Sequence, residues 1–275
     1  MTSAKAAARR AAKSPYLRFL LAGSVIGSIA AAPAYAAGTQ AGTTISNTAT
    51  ATYELPGGGH NTVNSNTVNL LVDELLDVNV LWDDPSDVGV TPGATNQVLT
   101  FTVTNIGNGT EAFALSTTGG GGDQFDPTVT SIVIDTNGNG QYDPALDDVY
   151  NAGPDDPMLD ADESVTVFVL STIPGGATDA QRGRIDLVAA SKTGTGTPGT
   201  VVAGQGEGGG DPIVGANGGD ASDDGYYVVT NATVSLTKSA TVLDPFGGAN
   251  EVPGSVITYT LVATVSGCGS LANLR

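Results

Sequence analysis

The segment Asp135-Thr-Asn-Gly-Asn-Gly-Gln-Tyr-Asp143 places oxygen-bearing side chains at alternate positions, with glycines between several of them. Proteins bind calcium through oxygen atoms at roughly 2.3–2.6 Å, and one flexible loop can supply most of them. Asp135, Asn137 and Asn139 fall at the first, third and fifth positions of an EF-hand-like loop, and Gly140 falls at the sixth, where such loops turn sharply. This spacing predicts the first half of a calcium site.

The second half of the loop matches the pattern in part. The backbone carbonyl of Gln141 would serve the seventh position and Asp143 the ninth, but the twelfth is Leu146 where an EF-hand has a bidentate glutamate. The acids that follow at once can close the shell, so the predicted ligands of a structural calcium ion are Asp135, Asn137, Asn139, Gln141, Asp143, Asp147 and Asp148. The alternative is an Asx-rich hairpin turn, because Asn-Gly pairs form such turns without metal. The two interpretations do not exclude each other.

The chain offers few other groups for chemistry. Its single cysteine, Cys268, rules out an internal disulfide, and its single histidine, His60, lies in the glycine-rich stretch PGGGH. Neither has a visible partner that would activate it, so we expect both to be incidental. The acidic pairs at 155–156 and 223–224 are interpreted as solvated turn residues, and no acid/base pair of a glycosidase stands out. We therefore predict no catalytic residues.

The first 36 residues have the three parts of a secretory signal peptide. They hold five of the ten basic residues and no acid, an apolar run from Phe19 to Ala32, and small residues at Ala34 and Ala36. The alternative is a membrane anchor, but the run is shorter than the roughly 20 residues that a span needs and is broken by glycine and serine. We expect cleavage after Ala36, secretion or display on the cell envelope exterior, and no membrane span in the mature chain.

The charge balance limits the partners of the mature chain. All 28 acidic residues and only five basic residues lie beyond position 36. A negative field of this size repels nucleic acid and anionic membrane surfaces, and it attracts cations. We therefore expect no nucleic-acid partner. An unidentified surface or matrix partner fits the predicted location.

Alternating segments predict an all-β chain. In QVLTFTVTN the residues Leu99, Phe101 and Val103 share one face and threonines share the other, which is typical of a strand with one buried side. Short strands separated by Gly, Pro and Asp favour an antiparallel immunoglobulin-like β-sandwich. The predicted strands are 44–55, 66–72, 75–82, 97–105, 111–117, 128–135, 163–171, 184–191, 226–236 and 255–264.

An internal repeat sets the domain organisation. PGATNQVLTFTVTNIGNGTEA (92–112) is similar to PGSVITYTLVATVSGCGSLAN (253–273): each has Pro-Gly, a Thr-aromatic-Thr strand and a G-x-G turn. The two copies begin at residues 92 and 253, a spacing of about 160 residues, which indicates an array of whole domains. We predict a signal peptide at 1–36, an N-terminal β segment at 37–73, a sandwich domain at 74–234 with a long Gly-rich loop at 194–225 that lacks a packed element, and the truncated start of a second repeat at 235–275.

These strings carry a resemblance to a known family. VSLTKSATV followed by PGSVITYTLVATVSG resembles the opening of a DUF11-type repeat of bacterial surface and secreted proteins, and 75–115 resembles a diverged copy of it. The resemblance covers about a third of the mature chain. It implies an immunoglobulin-like sandwich in a long, non-enzymatic exterior protein with no assigned substrate.

Two functions are therefore expected from the sequence. The first is a non-enzymatic structural or adhesive repeat protein of the cell surface, stabilised by calcium. The alternative is a carbohydrate-binding or accessory module of an exported hydrolase. Sugar platforms need exposed aromatic rings, and the single Trp82 with eight Tyr and six Phe, mostly within strand patterns, gives that alternative little support.

Overall fold

The computed structural model describes residues 38–119, 121–231 and 233–267. The predicted signal peptide and Cys268 lie outside these residues. Residues 44–71 form one compact unit, and the other described residues belong to a second, larger one. Among the described residues no helix is long and apolar enough to cross a membrane.

The described chain consists of strands and one short 3-10 helix, at Glu207–Gly209. The strands are β1 (Thr44–Asn47), β2 (Thr50–Glu54), β3 (His60–Asn64), β4 (Val68–Leu71), β5 (Leu75–Leu76), β6 (Val78–Trp82), β7 (Val88–Val90), β8 (Gln97–Asn105), β9 (Glu111–Gly119), β10 (Thr128–Ile134), β11 (Asp148–Val149), β12 (Met158–Leu159), β13 (Ser164–Thr172), β14 (Arg182–Ser191), β15 (Ile213–Val214), β16 (Asp220–Val229), β17 (Thr233–Leu243) and β18 (Val256–Ser266).

Two five-stranded sheets form the sandwich of the larger unit, which also contains the two-stranded sheets β15-β5 and β17-β18. The first has the order β11-β10-β13-β8-β6 and the second has the order β12-β9-β14-β16-β7. Neighbours pair antiparallel, except that β7 runs parallel to β16. Hydrophobic residues of both sheets form one shared core. The predicted antiparallel β-sandwich is confirmed.

Strand β8 shows how the alternating pattern creates this core. Leu99, Phe101 and Val103 are fully buried, whereas the threonines between them lie on the outer face of the sheet and are partly exposed. The opposite sheet comes so close that a Cβ atom on Gly225 of β16 would lie 2.8 Å from both Leu99 and Phe101. A side chain at this position would displace Leu99 and Phe101, so glycine allows the two sheets to pack this closely.

Strand β13 is buried on both faces. Val167 and Val169 join the shared core, while Phe168 and Leu170 form a second small cluster with Val133 on the outer face of the first sheet. A continuous apolar run is typical of a strand that is covered on both sides. The outer cover includes Tyr142, which belongs to the predicted calcium loop.

The Gly-rich stretch at 194–225 differs from the prediction. It contains the 3-10 helix, strand β15 paired parallel to β5, and the first residues of β16. Buried carboxylates order this backbone by accepting its N–H groups: Asp77 accepts from Asn217, and Glu74 accepts from Glu207. The predicted absence of a packed element rested on low hydrophobicity and many glycines, and it is wrong because hydrogen bonds to distant acids also order a backbone.

Residues 44–71 form two small antiparallel sheets of their own. Strand β1 pairs with β4, and β2 pairs with β3. Every strand residue in this unit is exposed. Cross-strand side-chain bonds, such as Ser46 Oγ to Asn69 Oδ1 at 2.7 Å, link the polar positions.

Candidate calcium site

The predicted calcium loop connects β10 to β11. The two strands pair antiparallel, with Val133 opposite Val149 and Ile134 opposite Asp148. We call residues 135–147, between the paired ends, the acidic loop. It is too long for the two-residue hairpin turn that an Asn-Gly pair forms by itself.

Asp135 organises the start of the acidic loop. Its side chain is buried, and its two carboxylate oxygens accept hydrogen bonds from the backbone N–H groups of Gly138, at 2.7 Å, and Gly140, at 2.8 Å. Both glycines have a positive φ, 70° and 72°, which residues with a Cβ atom adopt at a cost. Carboxylate bonds of this kind are charge-assisted, so Asp135 fixes the turn before any ion binds.

Four further side chains of the acidic loop converge in a second set of hydrogen bonds. The carboxylate of Asp143 accepts from the amide of Asn139 at 2.6 Å and from that of Asn137 at 3.3 Å. The Asn137 amide also donates to Asp147 at 3.3 Å, and Asp147 accepts the backbone N–H of Asp143 at 2.7 Å. The structure thus brings two carboxylates and two amides into a single network.

The remaining two predicted ligands lie at the edge of this network. The backbone N–H of Gln141 donates to the side-chain oxygen of Asn139 at 2.7 Å, so Gln141 belongs to the same turn. Asp148 is the first residue of β11, and its side chain is exposed. The structure therefore groups Asp135, Asn137, Asn139, Gln141, Asp143 and Asp147 in the loop and places Asp148 just outside it.

The donor set fits calcium by its chemistry. All the side chains offer oxygen, the hard ligand that calcium selects, and the network combines neutral amides with anionic carboxylates. Across the described residues no group of three His, Cys, Asp or Glu side chains could hold a metal ion by itself. A calcium site here must therefore use amide and backbone oxygens, and the amides of Asn137 and Asn139 must turn their oxygens toward the ion.

An aromatic contact attaches the acidic loop to the sandwich. The ring of Tyr142 meets the ring of Phe168 edge-on, with centroids 6.0 Å apart, above the outer cluster of the first sheet. Tyr142 was not among the predicted site residues, although its position between the Asn-Gly pairs and Asp143 was a signal that a hydrophobic group belongs to the loop. Ordering of the loop is thus coupled to the packing of β13.

The paired acids at 155–156 and 223–224 are not all solvated turn residues. The side chain of Asp156 is buried, with Oδ2 3.0 Å from Lys192 Nζ and Oδ1 2.5 Å from the Tyr150 hydroxyl. Burial by itself would raise the pKa of Asp156, but bonds from Tyr150, Gly153 and Lys192 together hold it below its usual value.

The second pair lies within β16 and also has partners. Asp223 accepts the backbone N–H of Trp82 at 2.7 Å, and Asp224 forms an ion pair with Arg184 at 2.5 Å. The interpretation as solvated turn acids is therefore wrong for Asp156, Asp223 and Asp224, because strands and basic groups distant in sequence surround them.

Several aromatic rings of the sandwich fill the shared core, among them Phe101, Phe113 and Tyr227, and Phe168 is buried in the outer cluster. Tyr226 lies on the outer face of the second sheet, but one face of its ring is covered by the Arg182 guanidinium, 4.0 Å from the centroid. The ring of Trp82 meets it at 65°, with centroids 5.9 Å apart. Tyr226, but not Trp82, lines an open groove of about 380 Å³ together with Arg182 and Arg184.

Comparison with known proteins adds no identification. The sequence matches no protein-family model, and no curated protein matches it significantly.

Proposed function

We propose that this chain is a non-enzymatic, exported structural or adhesive repeat protein whose sandwich is stabilised by calcium in the acidic loop. The observation that carries the proposal is the network in which Asp143 meets Asn137, Asn139 and Asp147. Such a network collects oxygen ligands around a loop that is already attached to the sandwich through Tyr142. The leader-like first 36 residues support export, and the DUF11-type resemblance supports a surface role.

Calcium would act on stability and not on chemistry. It would neutralise the crowded carboxylates of Asp135, Asp143 and Asp147 and hold the loop against the outer cluster of the first sheet. If the free calcium concentration outside the cell exceeds the dissociation constant a hundredfold, mass action adds about 2.7 kcal/mol to the free energy of unfolding. That gain matters in a protein whose single cysteine excludes an internal disulfide.

Thermal melting tests the calcium part of the proposal. Wild type is melted with millimolar calcium and with chelator, beside Asp143→Asn and Asp126→Asn. The Asp143 variant keeps an oxygen for the two asparagine amides but loses the charge that calcium needs. Asp126 is exposed and lies outside the acidic loop, so its variant controls for removal of one negative charge.

We expect calcium to raise the melting temperature of wild type and Asp126→Asn by several degrees, as a gain of 2–3 kcal/mol does for a domain of about 150–250 residues. Asp143→Asn should lose most of this response while melting close to wild type in chelator. Equal melting of wild type in both solutions, with no heat of binding on titration, would reject the calcium site. N-terminal sequencing of secreted protein tests export: we expect Ala37, and retention of Met1 on an intracellular product would reject it.

A carbohydrate-binding role is the second candidate, and the groove beside Tyr226 is the observation that favours it. Arg184 supplies polar donors there and Tyr226 supplies an apolar edge, a combination that sugar sites use. Binding on a glycan array that Tyr226→Ala abolishes would support this role. An array without any bound glycan would favour the structural role.

A further inference from the structure

The hairpin of β17 and β18 has one apolar and one polar face. The strands pair over eleven residues, from Thr233 opposite Ser266 to Leu243 opposite Val256. One face carries, in opposite pairs, Val234 and Val265, Leu236 and Ala263, Lys238 and Leu261, Ala240 and Tyr259, and Val242 and Ile257. The other face is mostly threonine and serine. The apolar face is open: Leu236 is 64% exposed, and Tyr259 and Leu261 are each 61% exposed.

The same chain shows what normally covers such a face. Strand β8 contains the Thr-aromatic-Thr motif of the internal repeat, and it pairs with β6 as β18 pairs with β17. Leu99, Phe101 and Val103 of β8 correspond to Ile257, Tyr259 and Leu261 of β18. The first three are fully buried and the last three are between 49% and 61% exposed.

Two neighbours account for the burial of β8. Strand β13 pairs antiparallel along its other edge, from Ser164 opposite Thr104 to Ser171 opposite Gln97. The second sheet then covers the apolar face that β6, β8 and β13 share. Among the described residues, β18 pairs only with β17, so its second edge presents unpaired backbone groups.

We propose that β18 is an acceptor edge for an antiparallel β-strand of the kind that β13 supplies in the sandwich. The incoming strand would be uncharged, with hydrophobic side chains at alternate positions that continue the face of Ile257, Tyr259 and Leu261. The correspondence also selects the edge, because β6 ends its sheet while β8 has partners on both sides. The strand therefore adds to β18, and β17 remains the outer strand.

The composition of the hairpin fits this occupant. β17 and β18 contain no acidic residue, in a chain with 28 acids, and their only charge is Lys238. The Lys238 ammonium lies 4.3 Å from the centroid of the Tyr259 ring, at the middle of the apolar face. Two copies of the hairpin packed face to face would bring two such lysines together, which disfavours a second copy as the occupant. An uncharged strand added at the edge avoids that repulsion.

A peptide with the sequence of Ser164–Thr172, SVTVFVLST, is the probe. It carries two glutamates at each end, which keep it soluble. Because the protein is acidic, it repels these glutamates, and nonspecific binding of the peptide is reduced. Its core-facing side chains are Val165, Val167 and Val169, and the control peptide has serine at these three positions. The full chain is titrated with each peptide, and binding is followed by NMR shifts and hydrogen exchange of the amides at 256–266.

Substitutions at two adjacent positions distinguish an effect on the apolar face from a loss of the hairpin itself. Leu261→Asp places a charge on the apolar face, whereas Val262→Asp places it on the opposite face, and both positions are exposed, at 61% and 51%. We expect the valine peptide to bind wild type saturably and to protect β18 amides from exchange. Its dissociation constant should rise at least tenfold for Leu261→Asp and change less than threefold for Val262→Asp. Hydrogen exchange of each free variant checks that the hairpin persists.

Three results would overturn the proposal. The first is equal binding of the valine and serine peptides, which would show that the apolar face does not contribute to peptide binding. The second is no peptide binding together with concentration-dependent dimers that Leu261→Asp dissolves, which would make a second copy the occupant. The third is unprotected amides at 256–266 both with and without peptide, which would show that this edge accepts no strand.

Discussion

Removal of the Glu111 carboxylate should destabilise the sandwich more than removal of any exposed acid. Glu111 begins β9 and is only 5% exposed. Its oxygens accept four hydrogen bonds, from Ser191 Oγ at 3.0 Å, Lys192 N at 2.9 Å, Thr193 N at 3.0 Å and Thr193 Oγ1 at 2.8 Å. These donors are the last residue of β14 and the two residues after it, just before the Gly-rich stretch.

The magnitude follows from the backbone donors. The hydroxyls can turn to other acceptors, and the N–H of Lys192 also donates to the Ala112 carbonyl oxygen at 2.9 Å, so the N–H of Thr193 is the donor that loses its acceptor. A buried donor without an acceptor costs about 1–3 kcal/mol, so Glu111→Ala should lower the free energy of unfolding by about that amount. Glu111→Gln keeps one oxygen for the backbone donors and loses the charge, so we expect a loss of about 0.5–1 kcal/mol.

Urea unfolding followed by fluorescence of Trp82, the only tryptophan, measures both losses. Glu163→Ala is the matched control, because Glu163 is exposed and accepts a single backbone bond, from Asp160 at 2.8 Å. We expect the order wild type, Glu163→Ala, Glu111→Gln, Glu111→Ala in decreasing midpoint. Free energies of unfolding of Glu111→Ala and Glu163→Ala that differ by less than about 0.5 kcal/mol would refute the role of Glu111, because exposed substitutions usually change stability by no more than that.

Two further predictions concern side chains around the sheets. Tyr142→Ala should lower the free energy of unfolding, measured with urea, by about 1–2 kcal/mol, because the contact with Phe168 is lost. Tyr142→Phe keeps the ring and should lower it by less than about 0.5 kcal/mol. Equal losses for the two variants would show that the ring contact does not stabilise the sandwich. Burial, followed by the bond to Asp156, raises the pKa of Tyr150 to about 12. Its stabilisation is complete below pH 10 and is lost as pH rises toward 12, so Tyr150→Phe should flatten that part of the stability profile; an unchanged profile would contradict the assignment.

Local pattern determined much of the fold. The strand predicted at 97–105 is observed at Gln97–Asn105, and the segments predicted at 128–135 and 163–171 agree with β10 and β13 within one residue at each end. A period of two along the chain and turn residues at its ends are properties of a short segment, so the sequence contains them directly. The same is true of the acidic loop, whose alternating Asp and Asn lie within a single hairpin connection.

Burial was decided by the tertiary structure. Phe101 and Tyr259 stand in the same Thr-aromatic-Thr motif, yet one is fully buried and the other is 61% exposed. The alternation shows which side of a strand is apolar, but whether a second sheet covers that side depends on strands far away in the sequence. Prediction from the motif alone therefore could not tell the two positions apart.

The roles of the carboxylates were likewise set by contacts between distant residues. Glu111 accepts hydrogen bonds from residues about 80 positions away in the sequence, and Asp77 accepts the N–H of Asn217, which is 140 positions away. An acidic residue has the same local signature in a solvated turn and in a buried network, because only the donors around it differ. The sequence by itself determined the central strands of the sandwich, their apolar faces and the acidic loop. The packing of two sheets determined which acids became internal hydrogen-bond acceptors, since a buried N–H group must find its partner wherever the fold brings one.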